Sequence, residues 1–96
     1  MKLRFLSCAE QEFAEAVDHY NGQSPGLGYK FAAEVKSTLD RIVLFPDAWP
    51  LCSRRARRCI MNRFPYAVLY QMREEGILVL AVLHIKRKPT HWQSRL

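Results

Sequence analysis

Cysteine is scarce and oddly counted in this chain. Cys8, Cys52 and Cys59 are the only three, and none forms a C-x-x-C pair. That argues against both a disulfide framework and a zinc knuckle and leaves buried free thiols. Long apolar runs are missing too. The longest, Ile77 to Leu83, is far short of the roughly 20 residues that span a bilayer, so no membrane partner is expected. The opening MKLRFLSCAEQEF holds neither the apolar segment nor the cleavage pattern of a signal peptide, and a cytoplasmic location is expected. No P-loop, G-x-S-x-G, H-E-x-x-H or EF-hand pattern occurs. The acids fall mostly on outer helix faces or in the Glu74-Glu75 turn, which disfavours a two-carboxylate mechanism. His19, His84 and His91 lack cysteine or carboxylate neighbours at ligand spacing. Neither a metal nor a cofactor is expected.

What is present is an ordinary globule with an uneven field. Its 96 residues, 49% hydrophobic and 25% charged, make a single domain over 1–96. The net charge is +6, but the two halves differ. Residues 1–47 carry five basic and seven acidic side chains, and residues 48–96 carry ten and two, leaving −2 and +8. Such asymmetry points to an acidic or phosphate-rich partner.

Periodicity lays out the elements. Lys2 to Leu6 alternates as a short strand. Ser7 with Glu10 matches a capping box, and Ala9, Phe13, Ala16, Val17 and Tyr20 recur on one helical face, with Glu12, Glu15, Asp18 and His19 opposite. This helix is expected to end near Asn21-Gly22. A second stripe, Leu27, Phe31, Val35, Leu39 and Ile42, runs to Pro46, with Lys30–Glu34 and Lys36–Asp40 as outer-face pairs. Three strands follow a loop holding Trp49: Arg54 to Met61, Tyr66 to Arg73, and Ile77 to Ile85, the last two joined at Glu74-Glu75-Gly76. The final run is apolar on both parities and belongs in the sheet interior. The arginine-rich strand, charged on both faces, suits an edge. The expectation is an α+β, βααβββ fold: an antiparallel helix hairpin on one face of a small, mainly antiparallel four-stranded sheet, the first strand beside the last.

The chemistry on offer is arginine, lysine and aromatic. Arg54, Arg55, Arg57, Arg58, Arg63, Lys86, Arg87, Lys88 and Arg95 are placed to converge, because the edge strand and the chain end share one sheet. Arginine favours planar bidentate contact with carboxylate or phosphate. Trp92 either stacks on a partner or folds back over the sheet. His84 is either a strand-end imidazole bonded to backbone or a proton donor beside the basic tail.

The segments AEQEFAEAVDHY, SPGLGYKFAAEV, FPDAWP, RFPYAVLY and LAVLHIKRKPTHWQSRL together resemble the RelE/ParE superfamily of toxin–antitoxin toxins over nearly the whole chain. The resemblance implies the same βααβββ fold and a growth-inhibiting bacterial toxin silenced by a cognate antitoxin. RelE-like members cut messenger RNA on the ribosome with basic residues and a C-terminal tyrosine; ParE-like members poison DNA gyrase by contact. Where the nuclease branch carries Y-R-V-I-Y this chain has Tyr66-Ala67-Val68-Leu69-Tyr70, so the catalytic arginine falls on Ala67, and the tail aromatic is Trp92 rather than tyrosine. The expectation is therefore a gyrase-binding toxin, not itself a catalyst, whose contact surface is Arg54, Arg55, Arg57, Arg58, Lys86, Arg87, Lys88, Trp92 and Arg95. The alternative is a ribosome-dependent endoribonuclease using Arg55, Arg57, Arg58, Arg63 and His84. The antitoxin is expected to be acidic, partly disordered when free, and docked on Phe13, Tyr20, Leu27 and Phe31 wherever these are exposed.

Overall fold

Alternation makes the first residues a strand, β1 (Lys2–Phe5). The computed structural model describes residues 2–88 and 92–96; His91 lies outside them. Helix α1 spans Ser7–Gln23 and differs from expectation at both ends. Ser7 is its first helical residue rather than its cap. Leu6 precedes the helix with no side-chain cap bond, and its carbonyl accepts the Glu10 N–H at 3.0 Å. The helix also runs through Asn21-Gly22, because the Asn21 side chain is used sideways: Oδ1 accepts the Gly28 N–H at 2.8 Å, tying α1 to the first turn of α2 (Leu27–Leu44).

Helix α2 buries Phe31, Val35, Thr38 and Ile42. The Thr38 hydroxyl returns to the Glu34 carbonyl at 2.8 Å, which gives this buried polar group a partner within the stripe. The Lys36–Asp40 pair forms at 3.2 Å. Lys30–Glu34 does not. Glu34 instead accepts the backbone N–H of Arg63 at 2.9 Å and anchors the turn ahead of β3.

The strands are β2 (Arg57–Ile60), β3 (Tyr66–Arg73) and β4 (Gly76–His84), in sheet order β1-β4-β3-β2. Strand β1 runs parallel to β4 and the other neighbours are antiparallel. The doubly apolar run thus lies inside and the arginine-rich strand at an edge. That edge strand is shorter than its charge pattern implied, since Arg54 and Arg55 belong to the preceding bends.

Two clusters cover the sheet. Strand alternation sends Val68, Tyr70, Ile77, Val79 and Val82 toward the helices, against Phe31, Val35 and Ile42. It sends Ala67, Leu69, Leu78 and Leu83 to the opposite face, with Trp92. A register break between Leu69 and Tyr70 pairs Leu69 with Ala81 but Tyr70 with Val79. Leu80 is the extra residue of a bulge, and it joins Ala81 on the outer face. Tyr20, Phe31, Phe64 and Tyr66 interlock with centroids 4.9–5.9 Å apart, a geometry that adds stability beyond area burial.

A Cβ on Gly28 would overlap the Val17 carbonyl and the Asn21 side chain, whereas one on Gly22 would meet nothing within 4 Å. Gly28→Ala is therefore expected to lower unfolding stability by about 1–3 kcal/mol through overpacking. Gly22→Ala is expected to raise it by about 0.4–1 kcal/mol by restricting the unfolded chain. Denaturant titration of the two variants checks the pair.

Candidate functional site

Strand lengths decide where polar chemistry gathers. Strand β1 pairs only with Gly76–Val79 of β4, so the sheet edge beyond Val79 has no strand beside it among the described residues. Two side chains occupy that place. Glu12 Oε1 accepts the Val82 N–H at 3.1 Å. Arg95 donates to both Glu12 oxygens at 2.9 Å and to the Leu80 carbonyl at 2.9 Å. Both side chains of this pair are only 18% exposed. The bonds Arg95 donates to Glu12 raise its pKa above the ordinary value, with burial opposing them.

The clasp fixes the 3-10 turn Gln93–Arg95 and with it Trp92, whose residue is 6% exposed against the outer face. Of the two readings of the tail aromatic, the structure takes the one that folds back over the sheet. Trp92 and Arg95, expected on the contact surface, are held inward. Glu12, expected on a solvent face, is a structural acid.

The remaining basic residues separate into regions. In the first, Arg54, Arg55, Arg57 and Arg73 surround an open basin of about 610 Å³ with Asp47 and Tyr70. Strand β2 begins opposite Tyr70, which leaves Gln71–Arg73 of β3 without a β2 partner and forms one wall. Arg57 is fixed by donating to the Trp49 carbonyl at 2.7 Å and lying 3.9 Å from Asp47. Arg73 Nε donates to Gln71 Oε1 at 2.6 Å. The Trp49 loop is held further by Arg41, 5.5 Å from its ring centroid.

In the second, Arg58, His84 and Arg87 rim a shallow cleft of about 300 Å³ whose lining includes Ala67, Leu69, Leu83 and Trp92. His84 Nδ1 accepts the Lys86 N–H at 3.1 Å, so this imidazole bonds to backbone. Lys86 and Lys88 are exposed just beyond β4. Arg63 stands apart, lining a groove beside Leu27 and Phe64. Burial pushes the Cys52 and Cys59 thiols up, with Arg58 and Arg41 respectively opposing, which favours their protonated form.

Of the four apolar residues expected to meet an antitoxin, Phe31 is fully buried, and Phe13 and Tyr20 pack on the same cluster. Leu27 lines an open groove. Sequence reasoning missed Arg73, Gln71 and Glu12. Neither Gln71 nor Arg73 had a signal, because the edge strand expected from Arg54 to Met61 matched β3 in length and only the structure shortens it to Arg57–Ile60; Glu12 had none in its periodicity.

Comparisons with known proteins agree with this architecture. A sequence model of the family described as "ParE toxin of type II toxin-antitoxin system, parDE" matches residues 3–89. The chain belongs to that family, which makes it the toxin of a two-component module and implies an antitoxin partner. Among solved structures, it is similar to one described as the chromosomal ParDE TA system from P. aeruginosa. That match has a TM-score of 0.71 at 15% identity and covers 88% of this chain and 95% of the other. At that identity the likeness concerns the fold. No curated protein matches. Among the described residues, no helix is long and apolar enough to cross a membrane.

Tyr70 gives the basin wall a pH dependence. Its hydroxyl donates to the Pro46 carbonyl, and burial pushes its pKa up to about 12, with Arg57 opposing. An unfolded tyrosine ionises near 10, so the stability this group contributes is fully present below pH about 10. It is lost as the pH rises through about 12. Chemical denaturation between those values should show falling stability, with a shallower fall in Tyr70→Phe.

Proposed function

We propose that the chain acts in the cytoplasm by binding DNA gyrase and holding it on cleaved DNA, without itself breaking a bond. One observation carries this choice within the superfamily. The position where the nuclease branch holds an arginine is Ala67, 1% exposed and in one cluster with Trp92. Cleavage of RNA depends on cationic donors aimed at the phosphate as charge develops, and losing one donor typically costs about 10²–10³ in rate. Here the donor is replaced by a methyl group, and the tail supplies an indole in place of a phenol.

The target-facing surface in this reading is the exposed rim: Arg58, Lys86, Arg87 and Lys88, continued by Arg54, Arg55 and Arg57 of the neighbouring basin. Charges so placed speed encounter with an acidic partner and set its orientation. Trp92 and Arg95 act from below by keeping the rim in place. The groove at Leu27 and Phe64 is offered to an apolar residue of the antitoxin.

The test is purified protein added to gyrase and plasmid DNA. Loss of supercoiling with accumulation of cleaved DNA is expected, and the paired change Arg58→Gln, Arg87→Gln should weaken both by on the order of tenfold. Unchanged supercoiling, together with message cut at codon boundaries only when ribosomes are present, would overturn the reading. It would reassign Arg58, His84 and Arg87 to a rearranged nuclease site.

A further inference from the structure

We infer that the cations around β2 and the end of β4 form one track for the phosphate backbone of duplex DNA, so that the toxin grips the DNA that gyrase holds. The inference rests on the gyrase reading for its setting and names what the rim touches there.

Strand β2 builds the track. Side chains along a strand point alternately to its two faces, and Arg57 and Arg58 open β2 as neighbours. Arg57 accordingly faces the basin, which Arg54, Arg55 and Tyr70 also line. Arg58 faces the outer cleft, with His84 and Arg87. The two recesses adjoin, since Leu51 lines both. They make one stretch of surface with arginine along its length, continued past β4 by the exposed Lys86 and Lys88.

What the track lacks identifies its ligand. Among the described residues lining the two recesses, Asp47 is the only acidic side chain, and it lies 3.9 Å from Arg57. Among the described residues, no carboxylate stands within ion-pair distance of Arg54, Arg55, Arg58, Lys86, Arg87 or Lys88. Cations kept from internal counter-charge along a continuous surface call for a polyanion, and a duplex carries one negative charge per about 1.7 Å of its axis.

A stacking platform is lacking too. Trp92 lines the cleft and Tyr70 the basin, but both are buried, so neither offers a ring face to an unpaired base. Single strands are held largely by such stacking. Phosphate contacts alone position a duplex, without reading its sequence. The opposite sign elsewhere sets the approach. Helix α1 carries Glu10, Glu12, Glu15 and Asp18 and no lysine or arginine, which turns a polyanion away from that side.

The experiment measures binding of the full chain to a labelled mixed-sequence duplex by fluorescence anisotropy, without gyrase, between about 50 and 200 mM salt. Neutralising about four to six phosphates gives a slope of log K against log salt of about −3.6 to −5.4. The paired change Arg58→Gln, Arg87→Gln should flatten that slope by about 2. Lys30→Gln with Lys36→Gln removes equal charge from exposed positions of α2 and should leave it nearly unchanged. The duplex should bind on the order of tenfold more tightly than a single strand of the same length. Absence of duplex binding at the lowest salt would overturn the inference. So would a single strand or a polyglutamate peptide that binds as tightly as the duplex, or a slope that both paired changes flatten alike. A toxin that still stops supercoiling after such a result keeps the gyrase reading and loses the DNA track. Unchanged supercoiling beside intact duplex binding sinks the gyrase reading and leaves the track standing.

Discussion

The ion pair between Glu12 and Arg95 is the contact on which the packing of the sheet's outer face depends. A four-stranded sheet with a short first strand leaves part of its central strand without a neighbour, and buried backbone groups left unpaired cost about 1–3 kcal/mol each. Here one carboxylate and one guanidinium substitute for the missing strand, taking the Val82 N–H and the Leu80 carbonyl between them. The same pair joins α1 to the last turn of the chain. Because Trp92 precedes that turn, the clasp also determines that the outer face of the sheet is packed interior rather than open cleft.

That arrangement accounts for the division of labour among the cations. Arg95 is consumed by the clasp, and Arg57 is half consumed by the Trp49 loop. Those farther out remain available: Arg58 and Arg87 at the rim of the shallow cleft, and Arg54 and Arg55 around the open basin. Positive potential on this protein is thus a property of rims. A rim grips a partner without enclosing a scissile bond, which is the geometry that the proposed action by contact requires.

Periodicity made the helix hairpin, the interior position of β4 and the edge position of β2 legible in the sequence. Phe31, Val35 and Ile42 repeat at helical spacing, and a run apolar on both parities has only the sheet centre to occupy. What escaped are features set by length and long-range pairing. Glu12 looks like any outer-face acid until Val82 and Arg95, 70 and 83 residues away, are brought beside it. Glu34 leaves its helical partner for a backbone N–H 29 residues distant. The basin exists because β2 is half as long as β3, four residues against eight, and a run of arginines does not announce where a strand begins. The tail was read with both fates of Trp92 open, and the partner that decides between them is again Glu12.

Amide hydrogen exchange at Val82 tests the central contact most directly. In the native chain this amide should be as protected as that of Val68 in the middle of β3. In Glu12→Ala it should exchange on the order of tenfold to a hundredfold faster relative to Val68, because its acceptor is gone and the turn carrying Trp92 is released. A Val82 amide that keeps its protection relative to Val68 in that variant would contradict the claim that the clasp closes the sheet.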